Sequence, residues 1–320
     1  MKLFKDKKIF LLSFLFLSSC IEDAPLDSLS PAGPYARSID ELFWLTFWIA
    51  VGVFAIVQGA LLFSVFYFKE RESSPEPKQI HGNNFLEILW TIIPVLILAV
   101  IAVPTVRTIF DLAREPEDAL KIEVIGHQWW FEYKYPDFGI TTANVLVIPE
   151  DRPVRLEMWS NDVLHNYWVP KLNGKRYLVP GQTTYLNLQA DSPEEFWAQC
   201  GEYCGLSHSK MRGRVISMTE EDFASWVANE QSYAQKELPE SSLAAEGQVV
   251  YLNAGCTQCH VIDGVWDVQG DRIAPNLTHF ANRSVFAGAA LKNNPENLTK
   301  WLANPAEIKP GTFMPNLELT

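Results

Sequence analysis

Two long stretches near the start of the chain carry no charged side chain. The first covers residues 42–68, 27 positions, and the second covers residues 88–106, 19 positions. A helix crosses the hydrocarbon layer of a bilayer with about 20 apolar residues, so both stretches are long enough or nearly so. The pattern predicts a transmembrane hairpin with helices over 41–68 and 87–110, joined by a polar loop at 69–86.

The first 20 residues have the composition of a secretion signal. Lysines precede an apolar core at Ile9–Leu17, which is too short to span a bilayer. The segment ends in L-S-S-C, which is similar to bacterial lipoprotein signals, where cleavage leaves the cysteine, here Cys20, as a lipid-bearing N-terminus. The alternative is an ordinary signal that ends in a cysteine. Residues 21–40, rich in Pro, Ser and Asp, are expected to form a loose tether.

The signal and the two spans together predict the topology. A secretion signal places the tether outside, and two crossings return the chain to the outside. The loop between the crossings carries Lys69, Arg71 and Lys78, which suits the cytoplasmic side. Pro94 and Pro104 interrupt the second span, where neighbouring helices can satisfy the freed backbone groups. Everything after the second span is therefore expected on the outer face of a bacterial cytoplasmic membrane.

Apolar and polar side chains alternate in the next segment, residues 111–228. Val154, Leu156 and Met158 alternate with Arg155 and Glu157. This period of two, interrupted by turns rich in Pro and Gly, predicts an antiparallel β sandwich. Two of its strands, E-E-F-W-A-Q-C and G-R-V-I-S-M, would hold the loop between them rigidly.

That loop contains a dense cluster of soft metal ligands. Cys200, Cys204, His208 and Met211 recur at intervals of four, four and three, and His165 is the natural distant partner. Such ligands suit copper or zinc much better than calcium or magnesium. Zinc would form a closed tetrahedral Cys2His2 site, in which Met211 has no place. The set with the methionine favours a pair of copper ions that exchange one electron with little change of geometry.

A second redox motif follows the polar linker at 229–242. Residues 243–320 contain C-T-Q-C-H, in which Cys256 and Cys259 can form thioethers to one haem and His260 can bind its iron. The alternatives for a bare C-x-x-C are thiol redox chemistry and zinc binding. The added histidine and the outer location favour haem.

The second axial ligand of that haem has two candidates. Met314 is the only methionine after the motif, and His279 is its rival. Methionine ligation raises the haem potential, as an electron relay requires.

Charge and cysteine content narrow the function further. The formal charge of −12 argues against binding nucleic acid and is compatible with a basic protein partner. The five cysteines fall into the lipid, metal and haem motifs, so no disulfide framework is implied.

The motifs H-N-Y-W-V-P at 165–170 and C-G-E-Y-C-G-L-S-H-S-K-M at 200–211 resemble subunit II of haem–copper cytochrome c oxidases. The resemblance covers roughly residues 40–230 and implies a cupredoxin fold with a binuclear copper A centre. With the fused cytochrome, the resemblance is to the caa type. The fold class expected is a transmembrane hairpin, an all-β cupredoxin-like domain and an all-α class I cytochrome c domain.

The resemblance implies roles for particular residues. The copper ligands would be His165, Cys200, Cys204, His208, Met211 and the backbone carbonyl of Glu202. The Glu202 side chain would reach a magnesium ion at the contact with subunit I. Trp129 would be the surface residue through which electrons enter; if the fused haem domain docks on the copper domain, Trp129 would face that domain and not a soluble partner. Glu87 would lie near the mouth of a proton-uptake channel.

The implied function is an electron relay from a soluble cytochrome c through haem c and copper A to haem a of subunit I, in a complex with subunits I and III that reduces oxygen and translocates protons. Oxygen reduction would occur in subunit I, because neither predicted span contains a histidine for a haem–copper site. The rivals are a free-standing electron carrier, a nitrous-oxide-reductase-like domain and a quinol oxidase subunit. Quinol oxidase subunits lack the copper ligands, and the nitrous-oxide enzyme needs a histidine-rich cluster.

Overall fold

The computed structural model describes residues 24–70, 79, 81–232, 242–266 and 273–319. The predicted signal segment with Cys20 lies outside the described residues, as do Arg71 and Lys78 of the polar loop.

Two long apolar helices come first, α1 (Pro34–Tyr67) and α2 (Asn84–Ala113). Both are long and apolar enough to cross a membrane. Helix α1 begins earlier than predicted, so the tether expected over 21–40 is partly helical. Proline is favoured at the first helical position because its missing N–H would have no partner there. The Asn83 side chain caps α2 by accepting hydrogen bonds from two N–H groups of its first turn.

Ten strands then form a sandwich of two five-stranded sheets. They are β1 (Leu120–His127), β2 (Trp130–Tyr135), β3 (Ile140–Ala143), β4 (Val145–Pro149), β5 (Val154–Ser160), β6 (His165–Trp168), β7 (Lys175–Leu178), β8 (Thr184–Leu188), β9 (Glu195–Cys200) and β10 (Arg212–Met218). The sheet orders are β3-β2-β1-β5-β8 and β4-β10-β9-β6-β7.

The prediction of a purely antiparallel sandwich is wrong at two pairings. Strands β1 and β5 are parallel, as are β4 and β10. Each parallel pair joins strands that are separated along the chain by other elements, whereas turn signals predict only the pairing of neighbours.

The sandwich is attached to the end of α2 by buried polar side chains. Asn187 donates hydrogen bonds to the carbonyls of Leu112 and Arg114 at 3.0 and 2.7 Å. Arg155 donates to the Asn187 side chain at 2.8 Å and to the Ala113 carbonyl at 3.4 Å. Arg155 is therefore buried, although the alternation in β5 places it on the polar face. These bonds satisfy carbonyls that the helix leaves open at its C-terminus.

Helix α3 (Glu220–Gln231) packs on the sandwich and extends into the predicted linker at 229–242. Its Phe223 and Val227 are buried, which keeps the chain helical beyond the predicted boundary. Helix α4 (Leu243–Asn253) then starts the haem-motif domain. That domain continues with a two-stranded sheet, β11 (Val285–Phe286) and β12 (Leu291–Lys292), and with helices α5 (Pro295–Ala303) and α6 (Pro305–Ile308).

Candidate metal centre and haem motif

The soft ligands of the cysteine loop gather at one end of the second sheet. Cys200 is the last residue of β9 and Met211 directly precedes β10, so a pair of hydrogen-bonded strands holds the loop at both ends. His165 opens β6, which pairs with β9. Sheet pairing thus brings an imidazole to the loop from 35 positions away along the chain.

Each thiol has one imidazole beside it. The two sulfur atoms, Sγ of Cys200 and Sγ of Cys204, lie 3.8 Å apart. Nδ1 of His165 is 3.9 Å from the Cys200 sulfur, and Nδ1 of His208 is 3.5 Å from the Cys204 sulfur. Both cysteines and His165 are buried. The arrangement is a pair of sulfurs flanked on both sides by nitrogen ligands.

Each sulfur also has one weaker donor nearby. The thioether of Met211 is 3.8 Å from the Cys204 sulfur, and the Glu202 carbonyl oxygen is 3.3 Å from the Cys200 sulfur. The structure therefore brings together all six groups named from the sequence. A single tetrahedral zinc ion takes four ligands, and six donors that share two central sulfurs fit two ions better.

The two thiols differ strongly in acidity. A hydrogen bond with Cys204, helped by His165 and by backbone groups against the effect of burial, lowers the pKa of Cys200 to about 4. The hydrogen bond to Cys200 and burial raise the pKa of Cys204. Two thiolates at this distance repel each other, and metal cations between them would allow both to lose their protons.

Asp162 orients the distant imidazole and was missed from the sequence. Its Oδ1 lies 2.7 Å from Nε2 of His165, on the side of the ring away from Cys200. Burial opposes its charge, but hydrogen bonds from His165 and from two backbone N–H groups outweigh burial and lower the pKa of Asp162. A carboxylate on the far nitrogen fixes the tautomer in which Nδ1 is free to bind a metal. The signal was present in D-V-L-H, where the two residues are three positions apart.

Trp129 touches the metal loop and faces the haem-motif domain, which is the alternative expected from the fused cytochrome, and it is not a surface residue. Its side chain is only 5% exposed, and its indole N–H donates to the Cys204 carbonyl at 2.9 Å. Gln128 donates to the same carbonyl at 2.7 Å. The cause of burial is the haem-motif domain, whose Gly311 backbone packs so closely that a Cβ there would lie 2.7 Å from the indole ring.

The C-x-x-C-H motif forms a short 3-10 turn at Cys256–Gln258. Nδ1 of His260 lies 2.8 Å from the carbonyl of Pro275. A donor on Nδ1 leaves Nε2 as the nitrogen that is free to bind iron. The Tyr251 hydroxyl donates to the His260 carbonyl at 2.9 Å, which ties α4 to the motif.

The two candidates for the second axial ligand lie in different surroundings. Met314 follows α6, and its sulfur accepts a hydrogen bond from the Trp301 indole at 3.1 Å. His279 lines a cleft of about 280 Å³ between the haem-motif domain and residues 138–141 of the sandwich. Because His279 lies in the cleft between the two domains, Met314 is the better candidate for the haem ligand.

The residues predicted for the proton channel and for the magnesium site are Glu87 and Glu202. Glu87 lies in the first turn of α2, where a carboxylate also favours the positive end of the helix dipole. Glu202 has a half-buried side chain in the metal loop. Both roles stay predictions.

These features define a class of protein: a membrane-anchored redox subunit that joins a thiolate metal domain of sandwich fold to a c-type cytochrome domain. Family profiles agree with each part. "Cytochrome C oxidase subunit II, transmembrane domain" matches residues 27–108, "Cytochrome C oxidase subunit II, periplasmic domain" matches 139–218, and "Cytochrome c" matches 244–320.

Curated relatives match over nearly the whole chain. Cytochrome c oxidase subunit 2 of Alkalihalophilus pseudofirmus is 37% identical and covers 98% of this chain and 93% of its own. Cytochrome c oxidase subunit 2 of Bacillus subtilis is 34% identical, with coverages of 94% and 88%. Quinol oxidase subunit 2 of Bacillus spizizenii is also 34% identical, but the match covers only 71% of this chain and 72% of its own.

The chain belongs to the cytochrome c oxidase subunit II family. It is a membrane protein and a subunit of an oxidoreductase complex, in which subunit I is its partner. Its cupredoxin-like domain implies copper A, and its cytochrome domain implies haem c.

Proposed function

We propose that the chain relays electrons from a soluble cytochrome c through a covalent haem c and a binuclear copper A centre to haem a of subunit I, in a caa-type oxidase that also contains subunit III. Subunit I reduces oxygen to water and couples this to proton translocation. One observation carries the proposal: two sulfurs 3.8 Å apart have an imidazole and a weaker donor beside each of them.

Copper is favoured over zinc by the donor set. Cys200, Cys204, His165 and His208 would hold the two copper ions. Met211 and the Glu202 carbonyl would be the two weaker ligands. Soft thiolate and thioether donors select copper, and a weak axial thioether is typical of copper sites that transfer electrons. When bound, the copper pair supplies one-electron redox chemistry.

The residues of the cytochrome domain fit a haem. Cys256 and Cys259 would attach the porphyrin, and His260 would bind iron through Nε2. Met314 would supply the sixth ligand. Large apolar side chains near both ligand segments are exposed, and a porphyrin is the kind of apolar group that would cover them; they are Val249, Val250, Ile273 and Phe313.

The remaining roles follow from the proposed orientation, with both redox domains on the outer face of the bacterial cytoplasmic membrane. Cys20 would carry a lipid at the cleaved N-terminus. Glu87, at the start of α2, would lie near the cytoplasmic mouth of a proton channel. Glu202, in the metal loop, would face subunit I and share a magnesium ion with it.

Quinol oxidase is the alternative that the relatives raise. The similarity to quinol oxidase subunit 2 extends over 71% of the chain. The copper ligands and the C-x-x-C-H motif favour a cytochrome c oxidase, since a quinol oxidase subunit needs neither.

The test is sequential reduction in the oxidase purified from native membranes. Reduced soluble cytochrome c is mixed with the cyanide-inhibited complex, and haem c, the near-infrared copper band and haem a are followed in time. We expect them to be reduced in that order. In a variant with Cys200→Ser and Cys204→Ser, haem c should still be reduced while haem a is not. Reduction of haem a at the wild-type rate in that variant would contradict the relay.

A further inference from the structure

The haem-motif domain sits directly on the metal loop, through bonds that join the two domains. The Arg212 N–H donates to the Gly288 carbonyl at 2.9 Å, and the Ser207 hydroxyl donates to the Pro310 carbonyl at 2.7 Å. The Lys210 ammonium donates to the Ile308 carbonyl. Two residues of the metal loop and the first residue of β10 thus donate hydrogen bonds to backbone carbonyls of the haem-motif domain, in or next to α6 and in the β11–β12 turn.

Lys309 lies at the centre of this contact. It is only 3% exposed, and its ammonium donates to the carbonyl of Trp129 in the sandwich and to that of Ala287 in its own domain, the latter at 2.9 Å. A buried lysine head is costly unless it is hydrogen-bonded. One of its two carbonyl acceptors lies in each domain, so docking of the domains supplies one of the hydrogen bonds that the buried ammonium requires.

Two glycines allow the backbones to approach. At Gly288, a Cβ would lie 2.6 Å from the Trp129 carbonyl oxygen and 2.4 Å from the Lys309 nitrogen. At Gly311, a Cβ would lie 2.7 Å from the Trp129 ring. Both have positive φ, +72° and +82°, which glycine adopts at no steric cost. The cytochrome domain is therefore shaped to fit around this tryptophan.

Trp129 in turn bonds the metal loop, since its indole N–H donates to the carbonyl of the ligand Cys204 at 2.9 Å. We infer that Lys309 is a positioning residue that seats the cytochrome domain on Trp129, so that the copper site receives electrons from the chain's own haem and Trp129 is not a docking surface for an external donor. An external donor then docks on the cytochrome domain alone. This inference rests on the relay proposed above.

The inference is tested in the purified oxidase with Lys309→Met, which removes the ammonium and keeps most of the side-chain volume. Lys292→Met is the matched control, because that lysine is exposed on the same domain. A second variant, Lys210→Met, removes the bond to Ile308 from the sandwich side and leaves the bonds within the cytochrome domain intact.

Two readouts separate docking from electron transfer. Hydrogen exchange of the Arg212 amide, which is bonded across the seam, reports undocking, and we expect it to be about tenfold faster in Lys309→Met. With soluble cytochrome c as donor, kcat should fall while KM stays at the wild-type value, with the haem c and copper spectra unchanged. Lys210→Met should change both readouts in the same direction, and Lys292→Met should change neither.

Unchanged Arg212 exchange in Lys309→Met and Lys210→Met would overturn the inference. Faster exchange with an unchanged kcat would also overturn it, because docking would then not matter for electron transfer. A changed KM would overturn it as well, because Trp129 would then be a contact of the external donor. If Lys309→Met loses its haem c, Lys210→Met decides by the same criteria. Failure of the relay itself looks different: in the wild-type oxidase, the copper band would stay oxidised after haem c is reduced.

Discussion

At the scale of single residues, the two loop cysteines lie close enough for each to change the acidity of the other. The pKa of Cys200 is lowered and the pKa of Cys204 is raised, because a second negative charge beside the first is unfavourable in a buried place. Cys200 and Cys204 would hold the copper pair as thiolates, so copper and protons would compete for the same two sulfurs. Metal affinity is therefore expected to decrease as the pH is lowered, because protons compete with the metal for the sulfurs.

Asp162 offers a direct test of how the site is preorganised. Asp162→Asn keeps the shape but removes the charge that orients His165, so copper affinity should fall by about tenfold. Competition with a copper chelator measures this on the purified chain. Asp137→Asn, at an exposed position, is the control and should leave affinity unchanged. An affinity for Asp162→Asn within about twofold of wild type would show that the carboxylate does not support the metal ligand.

Residue spacing predicted most of this site, for a physical reason. Cys200, Cys204, His208 and Met211 lie in one loop, and a ligand set so close in sequence needs little tertiary structure to be recognised. Asp162 was missed although His165 is only three positions further along the chain, and Gln128 was missed because it reaches Cys204 from the other sheet. The hydrogen bond of Gln128 joins residues 76 positions apart, which no local pattern encodes.

At the scale of elements, the strand pair β9–β10 holds the metal loop at both ends, and the end of α2 is bonded to the other sheet. The hydrophobic runs predicted both helices, and period-two alternation predicted the sandwich. Alternation failed at Arg155, which looks like a surface residue but is buried, because it and Asn187 bind the carbonyls at the end of α2. The alternation of apolar and polar residues within one strand carries no information about contacts with another element, so it does not predict this junction.

The bonds between Asn187 and the end of α2 are expected to stabilise the sandwich. Asn187→Ala leaves carbonyls at the end of α2 without partners, which costs about 1–3 kcal/mol in the free energy of unfolding. Loss of the copper absorption on heating the full chain in detergent should therefore occur at a lower temperature. Asn229→Ala, at an exposed position in α3, is the control. Equal midpoints for Asn187→Ala and wild type would mean that the junction contributes nothing to the fold of the sandwich.

At the scale of the whole molecule, the haem-motif domain of the chain lies in direct contact with its metal loop. The order of the parts was readable from the sequence, since each has its own motif. The residues that make their contact were not, because Lys309, Gly288 and Gly311 belong to no motif. The same contact covers Trp129, as expected if the haem domain docks on the copper domain.

The central claim is that the loop cysteines hold two copper ions that exchange electrons with a haem of the same chain. Metal analysis and an optical spectrum of the full chain, purified from native membranes, test it most directly. We predict two coppers and one covalent haem per chain, with a near-infrared absorption from the thiolate-bridged copper pair. One zinc ion per chain, with a haem spectrum and no near-infrared band, would contradict the account.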